Sequence, residues 1–554
     1  MLLISCPGPR HGTASNLNYS FTLTLTFNTR YDIDMPEMNT SLLRDINSNG
    51  ADEDKGETNV SSPSKHERLT SLDIVRGYTM AMMIFVDDVG DAYQQWDHSP
   101  WNNITLADHV MPWFLFMVGT SMAFSFRKFK GTHEKRIAGT KFALTRAVKL
   151  YFLGVLLQGG NWFGGIRFYG KPAHPTNFVA FDLSTLRFCG ILNRIGFSYA
   201  VVSLLELWLP ARTQCCRGIS SPHLRLFSNH GWKWCGAFSV TAIYLLMILF
   251  TWVPTYTAHE KWEYKKEGND TWKKQQVFVK KGFEIKCDNY GYEVIIGVAD
   301  GTPECNAIGV YDRGIFGPQH LGTWMSVRSK DCSSCSPDYC PKPDAPEWCG
   351  AYMYDPEGFV ATLGTVMSCW IGLHFGLVLK AKGLSSPSER LKHWFTFAGI
   401  LMLVGLIMHW TAFMPMNKQL WSLSYVLFQA GSCGAALAIV YYLVDVENRA
   451  RTFFSSFFRP FQYMGMNAIL VFFYHGTAEA IVNTVYVSPG ENYVNPLPPN
   501  KEYSLLSFVH DEVYGGITGD PHAPATQLLY VLTKIGCFMA ATWYLFTIKY
   551  FWKV

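Results

Sequence analysis

Charge is what this sequence has least of: Asp, Glu, Lys and Arg together make up 16 % of its 554 residues, against about 25 % in an ordinary soluble domain. That deficit excludes a water-facing surface over most of the chain. No compact Lys/Arg tract with interleaved aromatics is present, and the formal net charge is only +4, so nucleic acid is not an expected partner. The first residues lack the charged leader, apolar run and small-residue cleavage site of a secretory signal. The first membrane span is therefore expected to do the targeting. A second CxxC or a paired-His motif that would complete a zinc site is also missing, and no metal is expected.

What is abundant is apolar: 49 % hydrophobic residues and 15 % aromatics. Stretches of about 16 to 25 apolar residues, enough to cross a hydrocarbon core of about 30 Å, recur along the chain. They predict an all-α integral membrane protein with about ten transmembrane helices, near residues 74–89, 104–126, 142–157, 188–209, 234–253, 358–379, 394–413, 420–444, 461–482 and 528–551. Residues 1–65 are rich in Asn, Ser and Thr, with an acidic patch at Asp52, Glu53 and Asp54, and read as a disordered tail. Residues 66–253 then hold spans one to five, 254–356 a cysteine-rich loop, and 357–554 spans six to ten.

The loops sort by charge. Arg127, Lys128, Lys130, Lys135, Arg136, Lys141, Arg146 and Lys149 follow span two; Arg212, Arg217, Arg225 and Lys233 follow span four; Lys380, Lys382, Arg390 and Lys392 follow span six; Arg449, Arg451 and Arg459 follow span eight. By the positive-inside rule these loops and both termini are cytoplasmic. The opposite face receives 254–356, with Cys287, Cys305, Cys332, Cys335, Cys340 and Cys349 and the glycosylation acceptor Asn269-Asp-Thr271. An even cysteine set in a non-cytosolic loop reads as a disulfide framework. A metal held by Cys332-Ser-Ser-Cys335 is the less favoured alternative.

Ionisable groups at membrane depth are costly and gather where a cavity needs them. Here Asp87, Asp88, Asp91, Asp97, His98, Asp108 and His109 bracket the connection between spans one and two. His98, between Trp96 and Trp101 and stiffened by Pro100, is the best candidate for a functional side chain, because neighbouring carboxylates can orient an imidazole and raise its basicity. A loop that merely solvates these groups at headgroup level is the competing reading. Asp108 and His109 read as helix-start residues, since a carboxylate favours the positive end of a helix. Asn193, Arg194, His374, Asn467 and His475 lie inside spans and Asn417-Lys418 just before one, as cavity lining or as hydrogen-bond hubs between helices.

Several segments resemble the heparan-alpha-glucosaminide N-acetyltransferase family of multi-span acetyl-CoA-dependent enzymes. They are Arg68-Leu-Thr-Ser-Leu-Asp-Ile-Val-Arg-Gly77, His98-Ser-Pro-Trp-Asn-Asn103, Leu106-Ala-Asp-His-Val-Met-Pro-Trp-Phe114, Leu186-Arg-Phe-Cys-Gly-Ile-Leu-Asn-Arg-Ile-Gly196, Cys305-Asn-Ala-Ile-Gly-Val-Tyr-Asp-Arg313, Tyr354-Asp-Pro-Glu-Gly358, Asn417-Lys-Gln-Leu-Trp-Ser-Leu-Ser-Tyr425 and Gly465-Met-Asn467. The resemblance implies acetyl-CoA as co-substrate on the cytosolic side, a lumenal amino-sugar acceptor, a lysosomal or vacuolar membrane, and His98 as the catalytic histidine. Asp87 stands where animal members carry Asn, which implies a catalytic pair His98 and Asp87 and a changed acceptor.

On that basis Arg146, Lys149 and Arg76 are expected at the mouth for the nucleotide. Asn102, Asn193, Arg194 and Asn467 are expected to steady the thioester oxygen or the phosphates. His98 either deprotonates the attacking amine or carries the acetyl group itself. Expected partners are the lipid bilayer, acetyl-CoA and the acceptor, with a homodimer as a further option. The rival class is a polytopic transporter using the same polar groups as a solute path. No internal repeat of the kind transporters show is evident.

Overall fold

The structure is a computed structural model that describes residues 69–90, 92–93, 95–159, 186–211, 221–258, 261–267, 271–277, 283–296, 303–321, 333–335, 340–341, 354–381, 383–446, 448–482, 486–487 and 503–552. The expected tail 1–65, Asp91, Asn269, Cys332 and Cys349, and the side chains of Cys335 and Cys340, lie outside the described residues.

The fold is built of helices, in chain order α1 Thr70–Val89, α2 Val110–Ser125, α3 His133–Gly154, α4 Ile191–Trp208, α5 Pro222–Asn229, α6 Gly231–Phe250, α7 Gly291–Ile296, α8 Ala307–Phe316, α9 Phe359–Val378, α10 Pro387–Trp410, α11 Leu423–Tyr441, α12 Asn448–Met466, α13 Ala468–Val482 and α14 Pro524–Thr547. Six helical segments among the described residues are long and apolar enough to cross a membrane: Ala107–Phe129, Gly231–Phe250, Phe359–Val378, Pro387–Trp410, Leu423–Val446 and Pro524–Thr547. The other four expected spans also fall on helices, α1, α3, α4 and the pair α12–α13, but charge or length sets these apart. The expected third span starts earlier than its apolar run, at His133, because Thr132 accepts a hydrogen bond from the Lys135 amide and caps a basic first turn. The expected ninth span breaks at Asn467. Its side chain donates to the Tyr550 carbonyl (3.2 Å) and accepts from the Trp552 amide (3.1 Å), fixing the segment that follows α14.

Helix α9 is the hub. Its apolar window is 94 % buried, against 28 % for α10 and 17 % for α14, whose outward Ile400, Leu403, Leu532 and Trp543 face where lipid would lie. Small residues let helices close to backbone distance. A side chain at Gly119 would strike the Cys369 carbonyl of α9, and one at Gly372 the Phe116 carbonyl of α2. Gly77 and Gly465 make the same kind of crossing between α1 and α12.

Residues 252–321 add short antiparallel pairings, Trp252–Val253 with Asn289–Tyr290, Tyr256–Ala258 with Phe283–Ile285 and Lys261–Glu267 with Thr271–Val277, beside α7 and α8. One disulfide of the expected framework is formed among the described residues, Cys287–Cys305.

Candidate active site

Two loops meet at the ends of α2 and α11. The first, 95–106, descends from α1. The second, 411–422, connects α10 to α11. They are joined as an antiparallel bridge between Asn102 and Asn417, where the Asn103 amide donates to the Met416 carbonyl at 2.9 Å. Asn103 takes a positive φ of 80°, a conformation its short amide side chain tolerates. Asn417 is fully engaged. Its Nδ2 reaches Asn102 Oδ1 (3.3 Å), its Oδ1 accepts from the Leu420 amide (2.8 Å), and its amide donates to Ser422 Oγ (3.0 Å).

This framework holds three ionisable side chains together. His98 Nδ1 lies 2.9 Å from Asp108 Oδ1, and Lys418 Nζ lies 2.8 Å from His98 Nδ1, 3.2 Å from Nε2 and 3.6 Å from Asp108 Oδ1. Asp108 is wholly buried, while the side chains of His98 and Lys418 keep 15 % and 18 % of their surface. Asp108 Oδ2 accepts from the Ser99 amide (3.1 Å), the Thr105 amide (3.0 Å) and Thr105 Oγ1 (3.1 Å). Asp108 thus supplies one half of a capping box, holding the Thr105 turn that opens the α2 segment, while its own amide donates to the Thr105 backbone carbonyl. Its backbone carbonyl accepts from Tyr425 Oη (2.5 Å) and Gln429 Nε2 (3.4 Å), tying the site to α11. A carboxylate accepting on Nδ1 places the imidazole proton there and leaves Nε2 as the basic nitrogen. The arrangement can move a proton to and from Nε2, with an ammonium beside it for a developing negative charge.

The other expected residues distribute as follows. Asn102 belongs to the site framework. The Asp87 carboxylate faces His475 Nε2 at 3.7 Å, and Asp88 is paired with Lys534 at 2.8 Å. Asp97 Oδ1 accepts from the His98 amide at 2.6 Å, and His109 Nδ1 meets Gln429 Oε1 at 2.6 Å. Arg76 ties α1 to α2 through Ser121 Oγ (2.7 Å) and to α12 through the Gly465 carbonyl. Arg146 lies over the Tyr199 ring at 5.0 Å with a buried Nε that has no partner, and Lys149 is exposed. Asn193 donates to the Phe188 carbonyl at 2.8 Å. Asn467 serves the chain near residue 550, as described above.

Arg194 anchors a second polar cluster. It donates to the Pro356 carbonyl (2.5 Å) and lies 4.7 Å over the ring of Trp421, which stands four residues from the start of the Asn417-Lys418 turn. Beside it Arg187 grips Asp355 through two hydrogen bonds of 2.8 and 2.6 Å and also binds Glu357. Burial opposes the Arg187 charge, yet the two carboxylates hold its proton more tightly than usual. The Asp355 amide donates to Asp312 Oδ2 at 3.1 Å. Burial, reinforced by the negative charge of Asp355, pushes the Asp312 carboxyl up to about 7.

Local sequence pattern assigns neither Asp108 nor Lys418 to the centre. Asp108 matched a helix start, which it also is. Lys418 carried a usable signal: a cation at the span end opposite the basic loops runs against the general charge bias.

Comparison with known proteins bears on the same segment. Residues 68–219, which include His98 and Asp108, match the family model described as heparan-alpha-glucosaminide N-acetyltransferase, catalytic. The chain is 27 % identical over 427 residues, 75 % of its length, to heparan-alpha-glucosaminide N-acetyltransferase of Mus musculus. It is 27 % identical over 424 residues, 74 % of its length, to the protein of the same name from Homo sapiens. These alignments cover 54 % and 53 % of the relatives, so the chain spans about half the length of the curated relatives it matches.

Proposed function

This chain belongs to the heparan-alpha-glucosaminide N-acetyltransferase family, and from that membership we propose that it moves an acetyl group from cytosolic acetyl-CoA to an amine presented on the far side of the membrane, a terminal amino sugar being the acceptor class. The observation that carries the reading is His98 held between Asp108 and Lys418. An amine attacks a thioester only after losing its proton, and His98 Nε2 is the group to take it. Asp108 keeps the ring in the required tautomer and balances the charge that the ring gains. Lys418, beside the same nitrogen, donates to the carbonyl oxygen as the tetrahedral intermediate forms.

The donor is a polyanion that does not cross lipid, so only its acyl end reaches His98. Arg146, whose buried Nε lacks a partner, and Lys149, one helical turn further along α3, are suited to phosphate at the basic end of the bundle. Asn102, Arg194 and Asn193 stay with the acyl-bearing arm in this reading, and Arg76 and Asn467 hold helices in place. In this topology all ten hydrophobic segments are spans, both termini are cytoplasmic, the 254–356 segment is lumenal, and the membrane is lysosomal or vacuolar.

The test is acetyl transfer from labelled acetyl-CoA to glucosamine-terminated acceptors by the purified full chain in lipid. Wild type transfers label and His98→Ala, inserted normally, does not. Transfer by His98→Ala at the wild-type rate removes His98 from the reaction. Incubation without acceptor separates the two chemistries: label retained on His98 means an acetyl-imidazole intermediate, and its absence means direct attack.

A further inference from the structure

Far along α9 from the Asn102–Asn417 bridge, three histidines from three helices stand in file. His374 Nε2 of α9 lies 3.1 Å from His393 Nε2 of α10, and His393 Nδ1 lies 3.1 Å from His223 Nδ1 of α5. His223 Nε2 then lies 3.2 Å from Glu389 Oε2, and Glu389 Oε1 accepts from Lys392 Nζ at 3.0 Å. The file runs from a fully buried ring to partly exposed groups: His374 is 0 % and His393 4 % exposed, whereas the side chains of His223 and Glu389 keep 32 % and 35 % of their surface. Phe227, Trp234 and Phe397 enclose His374, with Phe227 stacked on it at 4.2 Å. At the inner end His374 Nδ1 is buried with no partner.

A hydrogen bond between two imidazole nitrogens needs one N–H and one lone pair, and a neutral ring has one of each. With Glu389 ionised against Lys392, the tautomers follow in turn. His223 carries its proton on Nε2 and donates to Glu389, His393 carries its own on Nδ1 and donates to His223, and His374 carries its own on Nε2 and donates to His393. The single unused group is the lone pair of His374 Nδ1. Convergence on one metal ion is not the geometry, because His393 turns opposite nitrogens to its two neighbours.

We propose that Glu389, His223, His393 and His374 form a proton relay that ends in a buried site for a protic group, an S–H or O–H, at His374 Nδ1. One transit outward balances as follows. The protic group gives its proton to His374 Nδ1 and keeps its electron pair; the Nε2 proton of His374 passes to His393 Nε2; the Nδ1 proton of His393 passes to His223 Nδ1; and the Nε2 proton of His223 passes to Glu389, which becomes a carboxylic acid. The three rings end in their opposite tautomers, and the reverse transit restores them. Among the described residues, His230 is a further histidine whose charge, when present, would repel one on His374.

Histidine nitrogen-15 spectra of the full chain in lipid test the relay directly. Wild type shows His393 as the Nδ1–H tautomer and His374 and His223 as Nε2–H. In His223→Phe the acceptor for His393 Nδ1–H is lost, so His393 returns to Nε2–H and forces His374 to Nδ1–H. A surface substitution thus switches a buried ring two links away. An unchanged His374 tautomer in that variant overturns the relay. Glu389→Gln preserves the acceptor oxygen and the file but does not take the proton.

A second arm rests on the acyl-transfer reading. Acetyl turnover by Glu389→Gln is expected to fall by roughly 10²-fold with KM unchanged, and added imidazole to restore His223→Ala. Wild-type turnover in both variants overturns a role for the relay in the reaction. If wild type itself transfers nothing, the acyl-transfer reading fails and the tautomer result still decides the relay.

Discussion

Asp108 serves His98 with one carboxylate oxygen and the first turn of the α2 segment with the other. A single buried side chain therefore sets both the tautomer of the ring and the position of the helix that carries it. Fixing the angle between carboxylate and ring in this way leaves little freedom to be lost when substrate arrives.

Replacing Asp108 by Asn separates the two duties. The amide oxygen still accepts the capping hydrogen bonds, but an amide N–H turned toward Nδ1 demands a lone pair there and moves the imidazole proton to Nε2. Acetyl turnover is expected to fall by about 10² to 10⁴-fold with a nearly unchanged melting temperature. Asp108→Ala is expected to lose the same activity and, in addition, about 0.5–2 kcal/mol of stability from the missing cap. Equal melting losses in both variants would contradict the division of labour.

Lys418→Met removes the ammonium without shortening the side chain much. The expected loss is about 10² to 10³-fold in kcat, with Lys418→Arg recovering part of it and the acceptor KM little changed. A loss confined to KM would make Lys418 a binding group only.

Asp87 faces His475 across α1 and α13, and its side chain is 43 % exposed. An exposed pair of this kind contributes about 0–1 kcal/mol. Asp87→Asn is therefore expected to leave stability almost unchanged. Its acceptor profile over several amino sugars decides whether this position selects substrate. A profile identical to wild type excludes that role.

Asp312 of α8 makes the stability of the chain pH-dependent. Its folded carboxyl titrates at about 7 against an ordinary 3.8, because burial, then the neighbouring Asp355, disfavours the charged form. The folded chain thus holds a proton that the unfolded chain has released. The resulting stability is fully present below about pH 4 and is lost as pH rises through about 7, by on the order of a few kcal/mol. Melting of the full chain at pH 5 and pH 8 should differ in that sense, and Asp312→Asn should flatten the difference. A variant with the wild-type slope would place the dependence elsewhere.

The hydrophobic helices and the polar connection around His98 were legible because each is written in local pattern, run length in one case and clustering of carboxylates in the other; that Cys287 pairs with Cys305 was not, because an even cysteine count leaves the connectivity open. The break at Asn467 was not, since a Gly-Met-Asn step inside an apolar run shows its meaning only when residues 550 and 552 fold back onto the amide. Asp108 carried two meanings at once, and local pattern disclosed only the capping one. Lys418 and the His374–His393–His223 file depend on contacts between distant parts of the chain, which periodicity does not encode.

The bridge of Asn102 to Asn417 joins stretches 315 residues apart, and Lys418 meets a ring 320 positions earlier. During synthesis the imidazole emerges with the opening hairpin, whereas its cation comes off the ribosome only after most of the bundle has been threaded into the bilayer. A polypeptide that stops anywhere before the second loop therefore lacks the cation, and on the acyl-transfer reading it holds an imidazole without its partner.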